Sequence, residues 1–203
     1  MRKKINYYIN KIKKEISKRN IDQSTYEKMY SEVVDLRKNI SVIRQEPFLF
    51  NKTIRQNFEL INKNITLDEI RNYAKLAYID DYIMSLPDKY DTILGEGGIN
   101  LSGGQKQRLS IARTLSKKSK IILFDEATSA LDNESQEYIK KAIDNLVKEH
   151  TVVIVAHRLS TIMDADIIHI VDKGRIVASG NHKELLKTNK IYKNLYETES
   201  LNS

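Results

Sequence analysis

Two short apolar runs, Lys120 to Phe124 and Thr151 to Ala156, are rich in isoleucine and valine, and between them Ile139, Ala142, Ile143 and Leu146 recur at helical spacing. Strand, helix and strand in that order fit a right-handed crossover, which commits this stretch to a parallel sheet. The unbroken apolar character of both runs predicts strands buried on both faces. Asp125 and Glu126 end the first strand. In open α/β sheets the carboxyl ends of the strands are where ligands bind, so position alone nominates these acids. An isolated acidic pair there would by default only begin a solvated turn.

Around this unit the chain reads as further short elements. Ile40 to Ile43 predicts a strand leading into a loop at Gln45, and residues 53 to 116 read as helices with turns, including Leu67 to Tyr78 and Lys106 to Leu115. Ile167 to Val171 and Arg175 to Ala178 flank Asp172-Lys173-Gly174, a hairpin signal, and helices close the chain. Near the start, Ile5, Ile9, Ile12 and Ile16 share one helical face amid lysines, predicting a basic amphipathic helix over residues 3 to 19. Packing on the domain is the plainer expectation for it, and a lipid-surface anchor the alternative.

Composition narrows the function classes. Lys plus Arg number 34 against 27 Asp plus Glu, for a net charge of +7. Residues 1 to 30 hold nine basic and three acidic side chains, so nearly all the excess sits there and the remainder is close to neutral. A neutral body argues against a nucleic-acid footprint spread over the fold. The absence of cysteine excludes disulfides and thiolate metal sites. No apolar run approaches transmembrane length, and no secretory signal opens the chain.

Ser102, Gly103 and Gly104 precede a predicted helix, so a hydroxyl, bare backbone amides and the positive end of a helix dipole can converge on an anion. An ordinary N-cap followed by a tight turn accounts for the same residues, and both can hold. Asp132 reads equally as a helix cap. His157, after a buried strand, would in isolation be a core histidine. A phosphate-cradling P-loop needs several glycines before a Gly-Lys-Ser/Thr step, and no glycine precedes Gly95.

Leu101-Ser102-Gly103-Gly104-Gln105, set between Gly95-Glu96-Gly97-Gly98-Ile99-Asn100 and Lys106-Gln107-Arg108-Leu109, resembles the signature of ABC transporters. Matches follow in the family's order at Asp125-Glu126-Ala127-Thr128-Ser129-Ala130-Leu131-Asp132, at Ala156-His157-Arg158-Leu159-Ser160-Thr161, and at Gly180 to Leu186. Upstream, Gln45-Glu46-Pro47-Phe48-Leu49-Phe50 and Thr53-Ile54-Arg55 resemble the Q-loop region of exporter-type nucleotide-binding domains, with Arg44 where the family usually has a small residue or proline. The resemblance covers about residues 35 to 198.

It implies an α/β fold, an incomplete P-loop-NTPase-like parallel sheet core (about 35–52 and 117–180) with an inserted helical subdomain (about 53–116), C-terminal helices over 181–203, and an extra basic helix within residues 1–34 unlike the family. It assigns Asp125 and Gln45 to magnesium, Glu126 to the attacking water, and His157 to the γ-phosphate. Ser102, Gly103, Gly104, Gln105 and Asp132 would meet ATP and the dimer interface, with the nucleotide held by the opposite subunit. The implied ligands are ATP and Mg2+, and the implied partners are a second nucleotide-binding domain and an exporter's transmembrane domain on the cytoplasmic side of a membrane. Without a P-loop the chain is expected to bind nucleotide very weakly alone and to show no meaningful turnover. A nonproductive or regulatory partner is the alternative. A chromosome-structure type of DNA-repair ATPase would require a long heptad insertion that the sequence lacks.

Overall fold

The computed structural model describes residues 23–127, 132–156 and 159–201. The expected amphipathic helix over residues 3 to 19 lies outside them. The chain divides into two compact units, residues 1–40 and 41–203. In the first, helix α1 (Gln23–Lys38) ends on Arg37 and Lys38, cations that suit the negative end of a helix dipole.

The second unit opens with β1 (Ile40–Arg44), whose first residue falls at the boundary, followed by helices α2 (Ile54–Glu59), α3 (Leu67–Leu76), α4 (Asp80–Ser85) and α5 (Gly103–Leu115). Then come β2 (Ile121–Asp125), α6 (Asn133–Leu146) and β3 (Thr151–Val155). The hairpin β4 (Ile168–Asp172) and β5 (Arg175–Gly180) precedes α7 (His182–Thr188) and α8 (Lys190–Leu201). Local chemistry sets these boundaries. Thr53, Thr66, Ser102 and Asn181 each close a capping box with the Gln or Glu three residues on. The β4–β5 turn uses Lys173 at φ 48° and Gly174 at φ 75°, the left-handed pair that a two-residue hairpin turn requires.

The main sheet has the order β1-β2-β3, and β2 and β3 run parallel with Leu123 opposite Val153 and Asp125 opposite Val155. One face is packed: Ile43, Ile122 and Phe124 join Leu109 and Ile111 of α5 and Ile139, Ile143 and Leu146 of α6 in a single core that continues through Ile54, Phe58, Ile70 and Ala74. A smaller cluster of Leu159, Ile168, Ile170, Leu185 and Tyr192 holds the hairpin to the last helices.

The expectation of two-sided burial fails. Val42, Val153 and Val155 are between 44% and 46% exposed, and Leu123 is only half-buried. The alternation along β2 and β3 places one set of side chains on the helices, and no described element of the second unit covers the other set. An apolar run records that a strand can be buried on both sides, not that a partner for each side is present.

Candidate functional site

The signature segment is positioned by two features of its own sequence. Upstream, Gly95 to Gly98 fold into a tight loop in which the Ile99 N–H donates to the Ile93 carbonyl at 2.9 Å. A β-carbon on Gly98 would lie 2.1 Å from that same carbonyl oxygen, so glycine is required for the approach. Downstream, Ser102 starts α5. Its hydroxyl accepts the Gln105 N–H at 3.2 Å, while the Gln105 side-chain carbonyl accepts the Ser102 N–H at 2.9 Å. Gln105 is thereby committed to holding the cap.

The first-turn amides of Gly103 and Gly104 have no helical carbonyl to reach, and Ser102 and Gly103 are exposed. The capped serine still has its hydroxyl hydrogen to donate. This end of α5 is therefore both an ordinary helix cap and a place where an anion can be met by a hydroxyl, two amides and the helix dipole.

Asp132 is brought to the same place. It caps α6, accepting the Ser135 N–H at 2.7 Å and the Ser135 hydroxyl at 3.0 Å. Those hydrogen bonds, the backbone one foremost, hold its carboxyl below the usual carboxylate range, with Arg108 adding a smaller attraction. Ser135 in turn lies against Gly104, closely enough that no side chain fits there. The N-termini of α5 and α6 thus form one cluster joining Ser102, Gly104 and Asp132. Arg108 stacks on Tyr138 at 4.7 Å from the ring centre beside it, and burial lowers its pKa.

A second group sits at the end of the sheet. Asp125 closes β2 and is exposed. Glu126 follows in the left-handed region at φ 51°, its N–H held by the Val155 carbonyl at 3.0 Å. Such a conformation is uncommon for a glutamate and costs about 1–2 kcal/mol. It turns the backbone sharply away from the strand at the acid the sequence nominates. Gln45 follows β1 and is exposed. His157 and residues 128–131 lie outside the described residues.

Among the described residues no group of three or more His, Asp or Glu could hold a metal by itself. Asp125 fits Mg2+ in another way, since that ion keeps several waters and is typically bound by one or two carboxylates together with substrate phosphates. The remaining histidines have ring nitrogens engaged locally: His150 with the Ser119 carbonyl at 2.8 Å, His169 with the Ser179 hydroxyl at 2.7 Å and His182 with the Tyr192 hydroxyl at 2.8 Å.

Comparison with known proteins decides the family: the sequence profile described as ABC transporter matches residues 7–129. The chain belongs to the ABC transporter family. ATP-dependent lipid A-core flippases are 47% identical over 168 residues in Saccharophagus degradans and 48% identical over 164 residues in Desulfotalea psychrophila, covering 83% and 81% of this chain and 29% of each flippase. A solved bacterial Atm1-family ABC exporter with ATP bound matches at a TM-score of 0.74 and 40% identity, over 81% of this chain and 29% of that one. The ABC chain therefore spans less than a third of the length of these relatives. Its sheet and helices are those of an ABC nucleotide-binding domain, and no described helix is long and apolar enough to cross a membrane.

Sequence reasoning missed three residues that hold the ABC site in shape. Gln107 is buried and donates its side-chain amide to the Arg44 carbonyl at 3.0 Å, immediately ahead of Gln45. Arg113 donates to the Phe48 carbonyl and to Asn57 Oδ1, the latter at 3.3 Å. Buried Asn57 also accepts the Phe50 N–H at 2.9 Å and donates to the carbonyls of Phe50 at 3.1 Å and Thr53 at 3.0 Å. For Gln107 the available signal was a polar residue on the otherwise apolar face of α5; Asn57 and Arg113 carried none.

Proposed function

We propose that residues 1–203 contribute the signature-loop half of a composite ATP site in an ABC exporter, meeting a triphosphate whose phosphate cradle comes from outside these residues. The arrangement at the start of α5 carries the reading: exposed Ser102 and Gly103, orphan first-turn amides and a positive helix end offer donors to a γ-phosphate. Residues 1–94 contain no glycine, so nothing in them can wrap successive amides around phosphate oxygens. The relatives' names, ATP-dependent flippases and an ABC exporter with ATP bound, support a setting at a membrane beside a transmembrane partner, with this domain on the cytoplasmic face as part of the proposal.

In such a sandwich Ser102, Gly103 and Gly104 neutralise charge on the γ-phosphate as the attacking water bonds to phosphorus and the bridging bond to ADP breaks. Asp132 crosses toward the dimer partner. Asp125, with Gln45, would hold Mg2+, which when bound spreads the charge of the β- and γ-phosphates. Glu126 and His157 would orient water and γ-phosphate at this chain's own acidic end, but only where a P-loop reaches them. Where no P-loop reaches them, the two sites of a heterodimer are unequal, one complete and one without a cradle.

The test is a titration of the chain with fluorescent Mg·ATP, alone and mixed with an intact exporter nucleotide-binding domain. The reading expects affinity about 100-fold or more tighter in the mixture than for either component, roughly 2.7 kcal/mol of shared contact. No gain in the mixture favours a nonproductive partner and contradicts it.

A further inference from the structure

Helix α5 carries the signature cap at one end and, eleven residues on, Arg113. That separation is about 16 Å along a helix axis. Arg113 reaches out of α5 to the segment after Gln45: its guanidinium donates to the Phe48 carbonyl and to Asn57 Oδ1, and stands 5.9 Å from the centre of the Phe50 ring. Midway along the same helix, Gln107 grips the Arg44 carbonyl. Two points on one helix therefore bracket residues 44–50, which contain Gln45.

The chemistry of this bracket is unusual. Arg113 is held by one backbone carbonyl, an amide oxygen and a ring, with no carboxylate among the described residues, and burial lowers its pKa. Its Nε is buried without a hydrogen-bond partner. Burying a cation among neutral acceptors is a poor route to stability. A planar fork does, however, fix the relative position of two segments in a way no single-point donor can. The bracketed segment also ends in exposed apolar surface, with Phe48 68% and Phe50 42% exposed and their rings 4.9 Å apart edge to face.

We infer that Arg113 is a positioning residue that, with Gln107, makes α5 a rigid lever between the Phe48–Phe50 segment and the Ser102 cap, so that movement of the aromatic segment displaces the signature loop. The two arms act on the same body: a packed helix moves as a unit, and Gln107 lies on its buried side with Leu109 and Ile111 while Arg113 is half-buried. Only the identity of what Ser102 faces rests on the proposed function. The lever itself requires no nucleotide.

Amide hydrogen exchange on the 203-residue chain tests it. The Phe50 N–H is held by Asn57, and the Gln105 and Lys106 N–H groups by the Ser102 hydroxyl and carbonyl. Arg113→Gln is expected to accelerate exchange at Phe50 and also at Gln105 and Lys106, each about tenfold or more, with Ile122 to Phe124 unchanged. Arg113→Lys, which keeps charge but loses the fork, is expected not to restore protection. Acceleration confined to Phe50, or spread over the strands, overturns the lever. Phe50→Ala, at an exposed ring, serves if the arginine variants fail to fold: it too must loosen Gln105 and Lys106, and no change there overturns the inference. A failed nucleotide titration would leave these rates untouched, so the two readings fall separately.

Discussion

Gly104 and Ser135 touch where the two helices of the signature cluster begin: a β-carbon on Gly104 would lie 2.0 Å from the Ser135 hydroxyl oxygen and 2.6 Å from its β-carbon. The glycine is thus required by packing, independently of any phosphate it meets. Gly104→Ala forces α5 away from α6 and is expected to destabilise the chain by about 1–3 kcal/mol, as overpacked sites do. Thermal unfolding of Gly104→Ala beside Gly104→Ala/Ser135→Gly checks this. The second change removes the obstruction and should recover part of the loss. Equal melting temperatures for Gly104→Ala and the parent chain would refute the contact.

The helical subdomain carries an acid-sensitive buried network. Arg71 donates to both oxygens of Asp80, at 3.2 and 3.0 Å, and the Tyr90 hydroxyl donates at 2.6 Å. Burial by itself would raise the Asp80 carboxyl, but the hydrogen bonds from Arg71 and Tyr90 and the charge of Arg71 outweigh it and hold its pKa below the ordinary value. A depressed folded-state pKa contributes stability above the unfolded value, about 3.9 for aspartate, and loses it as pH falls through the folded value. Stability measured by urea unfolding from pH 6 to pH 2 should therefore fall with a slope that Asp80→Asn reduces. Tyr90→Phe should cost about 1.5–3 kcal/mol at neutral pH. An unchanged acid slope in Asp80→Asn would count against the network.

Asn57 offers a third check. It is fully buried and bonded to both backbone groups of Phe50, to the Thr53 carbonyl and to Arg113. Asn57→Ala strands these groups without water and is expected to cost about 2–4 kcal/mol in chemical unfolding. The Arg113 fork should loosen with it. A loss under 1 kcal/mol would mean that solvent replaces the amide.

Much of this was legible in the sequence because it is local. The crossover β2-α6-β3, the hairpin at Lys173-Gly174, and the caps at Ser102 and Asp132 each follow from a short pattern and appear with nearly the expected bounds. Helix α5 starts three residues before the predicted Lys106, because the Ser102 cap draws the glycines into its first turn. What stayed hidden is tertiary. Gln107 finds Arg44, Arg113 finds Phe48 and Gly104 finds Ser135 across long stretches of chain, and no periodicity encodes those meetings. The exposure of Val153 and Val155 was hidden for a related reason, since a strand's composition does not reveal which of its faces has a neighbour.

The central claim is that residues 1–203, which hold no P-loop themselves, act through the signature loop and not through their own acids. Steady-state ATP hydrolysis by the chain assembled with an intact nucleotide-binding partner tests it, with Ser102→Arg and Glu126→Gln compared side by side. The account predicts that Ser102→Arg abolishes turnover, by blocking the donors at the start of α5, while Glu126→Gln leaves the rate within about twofold, roughly 0.4 kcal/mol of barrier. A collapse of activity in Glu126→Gln with full activity in Ser102→Arg would contradict it.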